Sequence, residues 1–244
     1  MGPILKNNVE MSRYIDLNKY HSLELTHPFY REMLGEIVRQ IKKYPNKTKI
    51  LEIGAGTGIL TKFLCQLNNI QVTALEPDKF CFSLLKNYLK SNNNLSYRQD
   101  SGINFTGPEK FNIAVSSFAH HHIPYEKRFE FTKNIHSNLS ENGLYIVGDE
   151  LINHFKNNKE LKTQLFRYHL YIMGKAISEN NPKLAELELE SLRSGLNGIG
   201  DFKRSEKMLE EEMTQAGFIL KKKIKIGPKK PNDCGGIFVY VFEK

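Results

Sequence analysis

An apolar run that opens at Lys49-Ile50-Leu51 stops abruptly at Gly54-Ala55-Gly56-Thr57-Gly58 and resumes with helical spacing at Ile59-Leu60. The change of period predicts a strand, a tight loop and a helix in that order. Glycine at 54 and 56 lets the main chain take positive φ and lets a ligand lie directly against the backbone, while Gly58 lets the helix start close to the strand. In the dinucleotide fingerprint the third glycine follows the second after two residues. Here it follows after one, and an acid, Glu52, precedes the first glycine.

The segments that follow supply the other parts of a nucleoside crevice. Gln71 to Glu76 predicts a second strand, ending on a carboxylate ahead of Pro77-Asp78. Its distance from the glycine loop, about 20 residues, is that of a strand-helix-strand unit. A carboxylate at that strand end accepts hydrogen bonds from both hydroxyls of a ribose, although a dehydrogenase would also place an acid there. Leu95 to Asp100 predicts a third strand closing on Asp100-Ser101, and Phe111 to Ser117 a fourth, buried on both faces. After it comes Phe118-Ala119-His120-His121-His122-Ile123-Pro124. Adjacent side chains diverge, so at most His120 and His122 face the same way in an extended segment, and no metal site is expected. An imidazole suits a general base near neutrality. Leu144 to Glu150 predicts a fifth strand, whose C-terminal end brings Asp149 and Glu150 towards the same crevice.

Outside these segments, Pro28 to Tyr44 carries Phe29, Met33, Ile37 and Ile41 at intervals of four and predicts an amphipathic helix. A polar stretch with Tyr14 and Tyr20 precedes it. Tyr125 to Asn138 predicts a crossover helix stopped by Ser140-Glu141-Asn142-Gly143. Between Glu150 and Ser205, Leu161, Leu165, Tyr168 and Ile172 mark one helix, and Ala185, Leu189, Leu192 and Leu196 a second. Met208 to Gln215 predicts a last helix. Phe218 to Ile226 and Ile237 to Phe242 are two strands too close for a crossover, so they pair antiparallel.

Glu52-Ile53-Gly54-Ala55-Gly56-Thr57-Gly58 resembles motif I of the class I S-adenosylmethionine-dependent methyltransferases. Asp100-Ser101 resembles the pair that receives the adenine amino group in that family, and the strand followed by His-His-Ile-Pro resembles motif IV of its small-molecule members. The resemblance runs in order through residues 48–150 and 205–244. It implies an α/β fold with a seven-stranded, mostly parallel, doubly wound sheet and an antiparallel last strand. It further implies one methyltransferase domain over residues 1–244, with residues 1–46 as a cap segment and helix and residues 151–204 as a helical lid. The implied cofactor is S-adenosyl-L-methionine, held by Glu52, Gly54, Ala55, Gly56, Gly58, Glu76, Pro77, Asp100, Ser101, Ser116 and Ser117. Catalysis is expected from His120, His121, His122, Asp149 and Glu150, and acceptor binding from Tyr14, Tyr20, Tyr168 and His169.

Composition narrows the setting. The chain has 244 residues, 40% of them hydrophobic, enough for one core with a small insertion. Its net charge of +8 is concentrated at Lys221, Lys222, Lys223, Lys225, Lys229 and Lys230. With no Arg-rich or aromatic-interleaved run beside them, these read as a solvated edge strand and not as a nucleic-acid surface. No apolar run approaches the roughly 20 residues of a membrane span, and the N-terminus lacks a basic segment followed by an apolar one, so a cytoplasmic protein is expected. Cys65, Cys81 and Cys234 have no metal or disulfide spacing. Ser116-Ser117-Phe118-Ala119 stands where nucleobase amino-methylating enzymes carry an Asn/Asp-Pro-Pro-aromatic motif, and no cysteine is near for cytosine-C5 chemistry. The expected acceptor is a small molecule, methylated on oxygen or nitrogen. An RNA or protein methyltransferase, or a silent cofactor-binding module, is the alternative.

Overall fold

The structure, a computed structural model, describes residues 21–44, 48–90, 92–229 and 234–244. Tyr14 and Tyr20 lie outside them. Strand β1 (Thr48–Ile53) pairs in parallel with β2 (Ile70–Leu75) on one side and β4 (Phe111–Ser117) on the other, and β3 (Leu95–Arg98) extends the sheet beyond β2. On the far side β4 pairs with β5 (Leu139–Ile152). Strand β8 (Gly236–Glu243) runs antiparallel to both β5 and β7 (Ile219–Gly227). The order is β3-β2-β1-β4-β5-β8-β7. Chain direction across the sheet reverses between β1 and β4, the position where an open α/β sheet leaves its ligand crevice.

Both faces of the sheet are covered, which is why its central strands read as nearly continuous apolar runs. Ile50, Ile113, Ile146 and Val239 pack on one face with Met33, Ile37 and Ile41 of α1 (Tyr30–Ile41). Leu51, Ala114, Tyr145 and Val147 pack on the other with Phe131 and Ile135 of α4 (Arg128–Asn138) and Leu209 and Met213 of α7 (Glu206–Gln215). Helices α2 (Ile59–Cys65) and α3 (Lys79–Tyr88) complete the crossovers. A Cβ at Gly148 would lie 2.7 Å from Ile37 Cδ1 and 2.8 Å from Met33 Sδ, so glycine there lets α1 sit down on β5.

The insertion folds as two helices, α5 (Asn158–Ser178) and α6 (Pro182–Asn197). Asn157 and Asn181 cap their first turns, accepting from the amides of Glu160 and Leu184, and Gly198 at φ 61° ends α6. Leu165, Tyr168 and Ile172 of α5, Leu192 of α6 and Ile152 of β5 form a separate small core.

The structure departs from the sequence expectation in several places. The first helix begins at Tyr30, because Phe29 takes φ 67° and leaves Pro28 in the preceding turn. Ser140 to Gly143 do not close α4 as a loop but lie inside β5. The register steps from Phe111↔Leu139 to Ile113↔Leu144, with Asn142 at φ 59° in the extra residues. Among the described residues the expected seven strands form the path of the sheet, and the two-residue Arg204–Ser205 (β6) is added off that path, pairing in parallel with Leu151 and Ile152 as the chain returns from the insertion.

Candidate active site

The glycine loop closes on the end of β4. Gly54 and Gly56 take φ 67° and 54°, and a Cβ added at Gly54 would stand 2.6 Å from Ala119 Cβ. A Cβ at Gly56 would meet no atom within 4 Å, because it projects into a cavity of about 290 Å³. Gly54, Ala55, Gly56, Glu76, Pro77, Ser101 and Ser117 line this cavity, as do Glu24, Tyr30, Asp78, Phe118 and His122. Gly58, at φ 94°, lies outside the lining, where an added Cβ would strike Leu85 at 2.7 Å; its role is to seat α2 against α3.

Glu76 is fixed by two main-chain donors, the amides of Gly56 at 2.7 Å and Asp78 at 2.8 Å. Each carboxylate oxygen keeps further acceptor capacity for hydroxyls of a ribose. Burial pushes this carboxyl up to about 7, although the two amides pull the other way. A cofactor that needs the ionised form therefore binds more tightly as pH rises through that value. Calorimetric titration with S-adenosylhomocysteine is expected to give about tenfold tighter binding at pH 8 than at pH 6, and a flattened profile in Glu76→Gln. Equal pH dependence in the variant would remove Glu76 from the sugar site.

The structure places other expected cofactor ligands away from the cavity. Asp100 turns back to accept from the Ser101 amide at 2.7 Å, so only its neighbour faces inward. Ser116 is fully buried beneath the sheet edge, bonded to the Tyr145 hydroxyl at 3.0 Å. Glu52 lies under the loop with Oε2 lacking a hydrogen bond, and burial pushes its carboxyl up to about 8. The segment before α1 and the first residue of that helix contribute residues that sequence reasoning missed. His21 Nδ1 lies 2.7 Å from Thr57 Oγ1 in the glycine loop, and the Tyr30 hydroxyl is hydrogen-bonded to Glu24 and Ser117. A capping N-terminal segment was the only signal for them.

The three histidines form one 3₁₀ turn, and each goes a different way. His120 points down into the core, Nδ1 at 3.1 Å from the Tyr145 hydroxyl and Nε2 at 2.9 Å from Glu212 of α7. Both nitrogens are engaged, so His120 is a packing residue. His120→Ala is expected to destabilise the fold by roughly 1–3 kcal/mol through the buried partners it strands, with little change in cofactor affinity. Chemical denaturation measures the first and calorimetry the second. His122 lines the cavity and bonds the Gly200 carbonyl through Nδ1; burial and the neighbouring His121 ring push it down to about 4, which makes it a weak base.

His121 pairs through Nδ1 with Asp149, which also accepts from the His121 main-chain amide at 3.0 Å. Nδ1-H is thereby the donor, and Nε2 makes no hydrogen bond among the described residues. Burial works against the charged ring, but the Asp149 carboxylate outweighs it and holds the imidazole above its ordinary value. His121, His122, Glu150 and Glu188 line a smaller pocket of about 40 Å³ that shares Glu24, Phe118 and His122 with the larger cavity. Glu150 is not an open carboxylate. It accepts from the Tyr168 hydroxyl at 2.6 Å and pairs with Lys203 at 2.5 Å. Tyr168 and His169 are fully buried, Tyr168 donating to Glu150 and His169 Nδ1 lying 2.9 Å from Glu188, while His169 Nε2 is enclosed in the core without a hydrogen-bond partner.

The fold is shared with known enzymes. A family model described as a methyltransferase domain matches residues 50–143. A protein of Staphylococcus carnosus described as an uncharacterized methyltransferase is 26% identical over 171 residues, 70% of this chain and 76% of that one. An rRNA adenine N-6-methyltransferase of Escherichia coli is 27% identical over 119 residues, 49% of this chain and 46% of that one. The crystal structure of a S-adenosylmethionine-dependent methyltransferase from Clostridium acetobutylicum superposes with a TM-score of 0.63 at 12% identity, covering 93% of this chain and 96% of that one. Residues 50–143 match a methyltransferase domain and the sheet has the Rossmann-like fold of S-adenosylmethionine-dependent methyltransferases, which together support a class I S-adenosylmethionine-dependent methyltransferase. Among the described residues no helix is long and apolar enough to cross a membrane.

Proposed function

We propose that the enzyme methylates an oxygen or nitrogen of a small-molecule acceptor held between the C-terminal edge of the sheet and the helices α5 and α6. In this reading residues 1–244 form one domain and residues 151–204 its lid. The observation that supports it is the His121-Asp149 pair on the wall of a small pocket contiguous with the cofactor cavity. Bound S-adenosylmethionine supplies the electrophilic methyl group, so the chain has mainly to orient an acceptor lone pair and take up a proton. Asp149 fixes the His121 ring with Nε2 turned away from it, and Nε2 receives the proton of a hydroxyl or ammonium acceptor. Cys65, Cys81 and Cys234 form no disulfide among the described residues, which fits a reducing cytoplasm.

The rival reading, transfer to RNA, draws on the Escherichia coli relative and on the lysines of β7. Two of those lysines are already paired, Lys221 with Glu243 and Lys223 with Glu206 and Glu210. The test is formation of S-adenosylhomocysteine with a panel of amines, phenols and carboxylic acids alongside total RNA. Turnover is expected with a member of the small-molecule panel. Transfer to RNA alone would overturn the proposal, and no turnover with any class would favour a silent binding module.

A further inference from the structure

Beside the His121-Asp149 pair, three buried side chains from remote parts of the chain converge. His27 comes from the turn before α1, Glu150 from the end of β5 and Glu188 from α6. His27 Nε2 lies 3.1 Å from Glu150 Oε1 and 3.2 Å from Glu188 Oε1, and one ligand atom from each residue falls within 4.8 Å of the others. Donors at the usual ~2.0–2.2 Å from a shared ion stand about 3.0–3.5 Å apart, the spacing seen around His27.

The orientation of the imidazole is the second observation. His27 Nδ1 is 3.0 Å from the Pro28 carbonyl, which can only accept, so Nδ1 carries a proton and Nε2 is turned to the carboxylates. His27 is 7% exposed, and its Nε2 sits between the two carboxylates without a well-formed hydrogen bond to either. A ring held by its far nitrogen on a carbonyl, with the near nitrogen aimed at carboxylates, is how histidine meets a metal. The carboxylates are oriented as well, Glu188 by His169 at 2.9 Å and Glu150 by Lys203 and by Tyr168. Glu150, Glu188 and Asp201 are buried carboxylates gathered around the Lys203 ammonium, and His27 stands between two of them, a setting that favours a cation.

We infer that His27, Glu150 and Glu188 form a binding site for one divalent transition-metal cation of the zinc or manganese class. One imidazole and two carboxylates suit such ions. The ion ties the segment before α1, the sheet and the lid helix α6 together on the wall of the smaller pocket. Contact of the ion with an acceptor oxygen rests on the acceptor pocket proposed above, whereas binding of the ion does not. The sequence expectation of no metal considered the three adjacent histidines, and these ligands have no spacing by which to find them.

Protein stripped with a chelator and dialysed is titrated calorimetrically with zinc chloride and, separately, manganese chloride, with no acceptor present. One equivalent per chain is expected for at least one metal, weakened about 10–100-fold or more in His27→Ala and in Glu188→Gln. Unchanged S-adenosylhomocysteine affinity in each variant shows that the fold persists. The zinc-loaded parent is also read by X-ray absorption, where a nitrogen and oxygen shell with one imidazole is expected. A shell with sulfur or several imidazoles, or full affinity in both variants, would overturn the site. So would no binding of either metal, leaving a protonated His27 as the positive charge. None of these readouts depends on methyl transfer, so the metal site and the acceptor reading fail separately.

Discussion

Valine at position 56 abolishes S-adenosylmethionine binding while the sheet stays folded. Gly56 stands at φ 54°, where a β-branched residue is strained by about 1–2 kcal/mol. That local cost is tolerable for a domain of this size, but the position of the side chain is not. The Cβ direction meets no protein atom because it opens into the cavity, so the valine methyls occupy ligand space. The Gly56 amide also holds Glu76, and displacing it disturbs the carboxylate assigned to the sugar. Calorimetry with circular dichroism as the folding control checks the result. A folded variant with parental affinity would mean that the cofactor lies elsewhere.

The second large effect separates the three histidines. His121→Ala is expected to lower kcat by roughly 10²–10⁴-fold with little change in S-adenosylhomocysteine affinity, the range for removal of a general base. Asp149→Asn should lower kcat in the same direction, since it fixes the His121 ring without touching the acceptor. His120→Ala, by contrast, shows its effect in denaturation. Steady-state kinetics on the acceptor found by the panel decides the matter. A near-parental rate in His121→Ala would leave proximity as the source of catalysis and reduce the pair to a structural contact.

The glycine loop and the sheet around it were legible because each depends on a short stretch of sequence. A glycine pattern, an apolar run and a carboxylate at the end of β2 carry their own meaning. The three histidines were only half legible. That neighbouring side chains diverge follows from backbone geometry, and a 3₁₀ turn sends three consecutive residues about 120° apart. Which of them meets the cavity depends on Glu212, Asp149 and Gly200, and nothing near residue 120 announces those partners. Tyr168 and His169 were misread for a related reason. Their apolar spacing showed one buried helix face, but the carboxylates that take up their polar atoms lie on β5 and α6. Gly143 was read as a helix stop because glycine punctuates helices, whereas here it sits in the irregular start of β5.

Strand β8 lies between β5 and β7, both made before it. During synthesis, therefore, the β3-β2-β1-β4-β5 part of the sheet waits with an open edge at β5, and β7 has no strand neighbour until residues 236–243 emerge. The nucleoside crevice, built between β1 and β4, needs none of these late residues. Cofactor-binding elements can thus form on the nascent chain well before the sheet is complete. The β5 edge, with its apolar run Leu144-Tyr145-Ile146-Val147, is the segment a chaperone would have to shield in the interval.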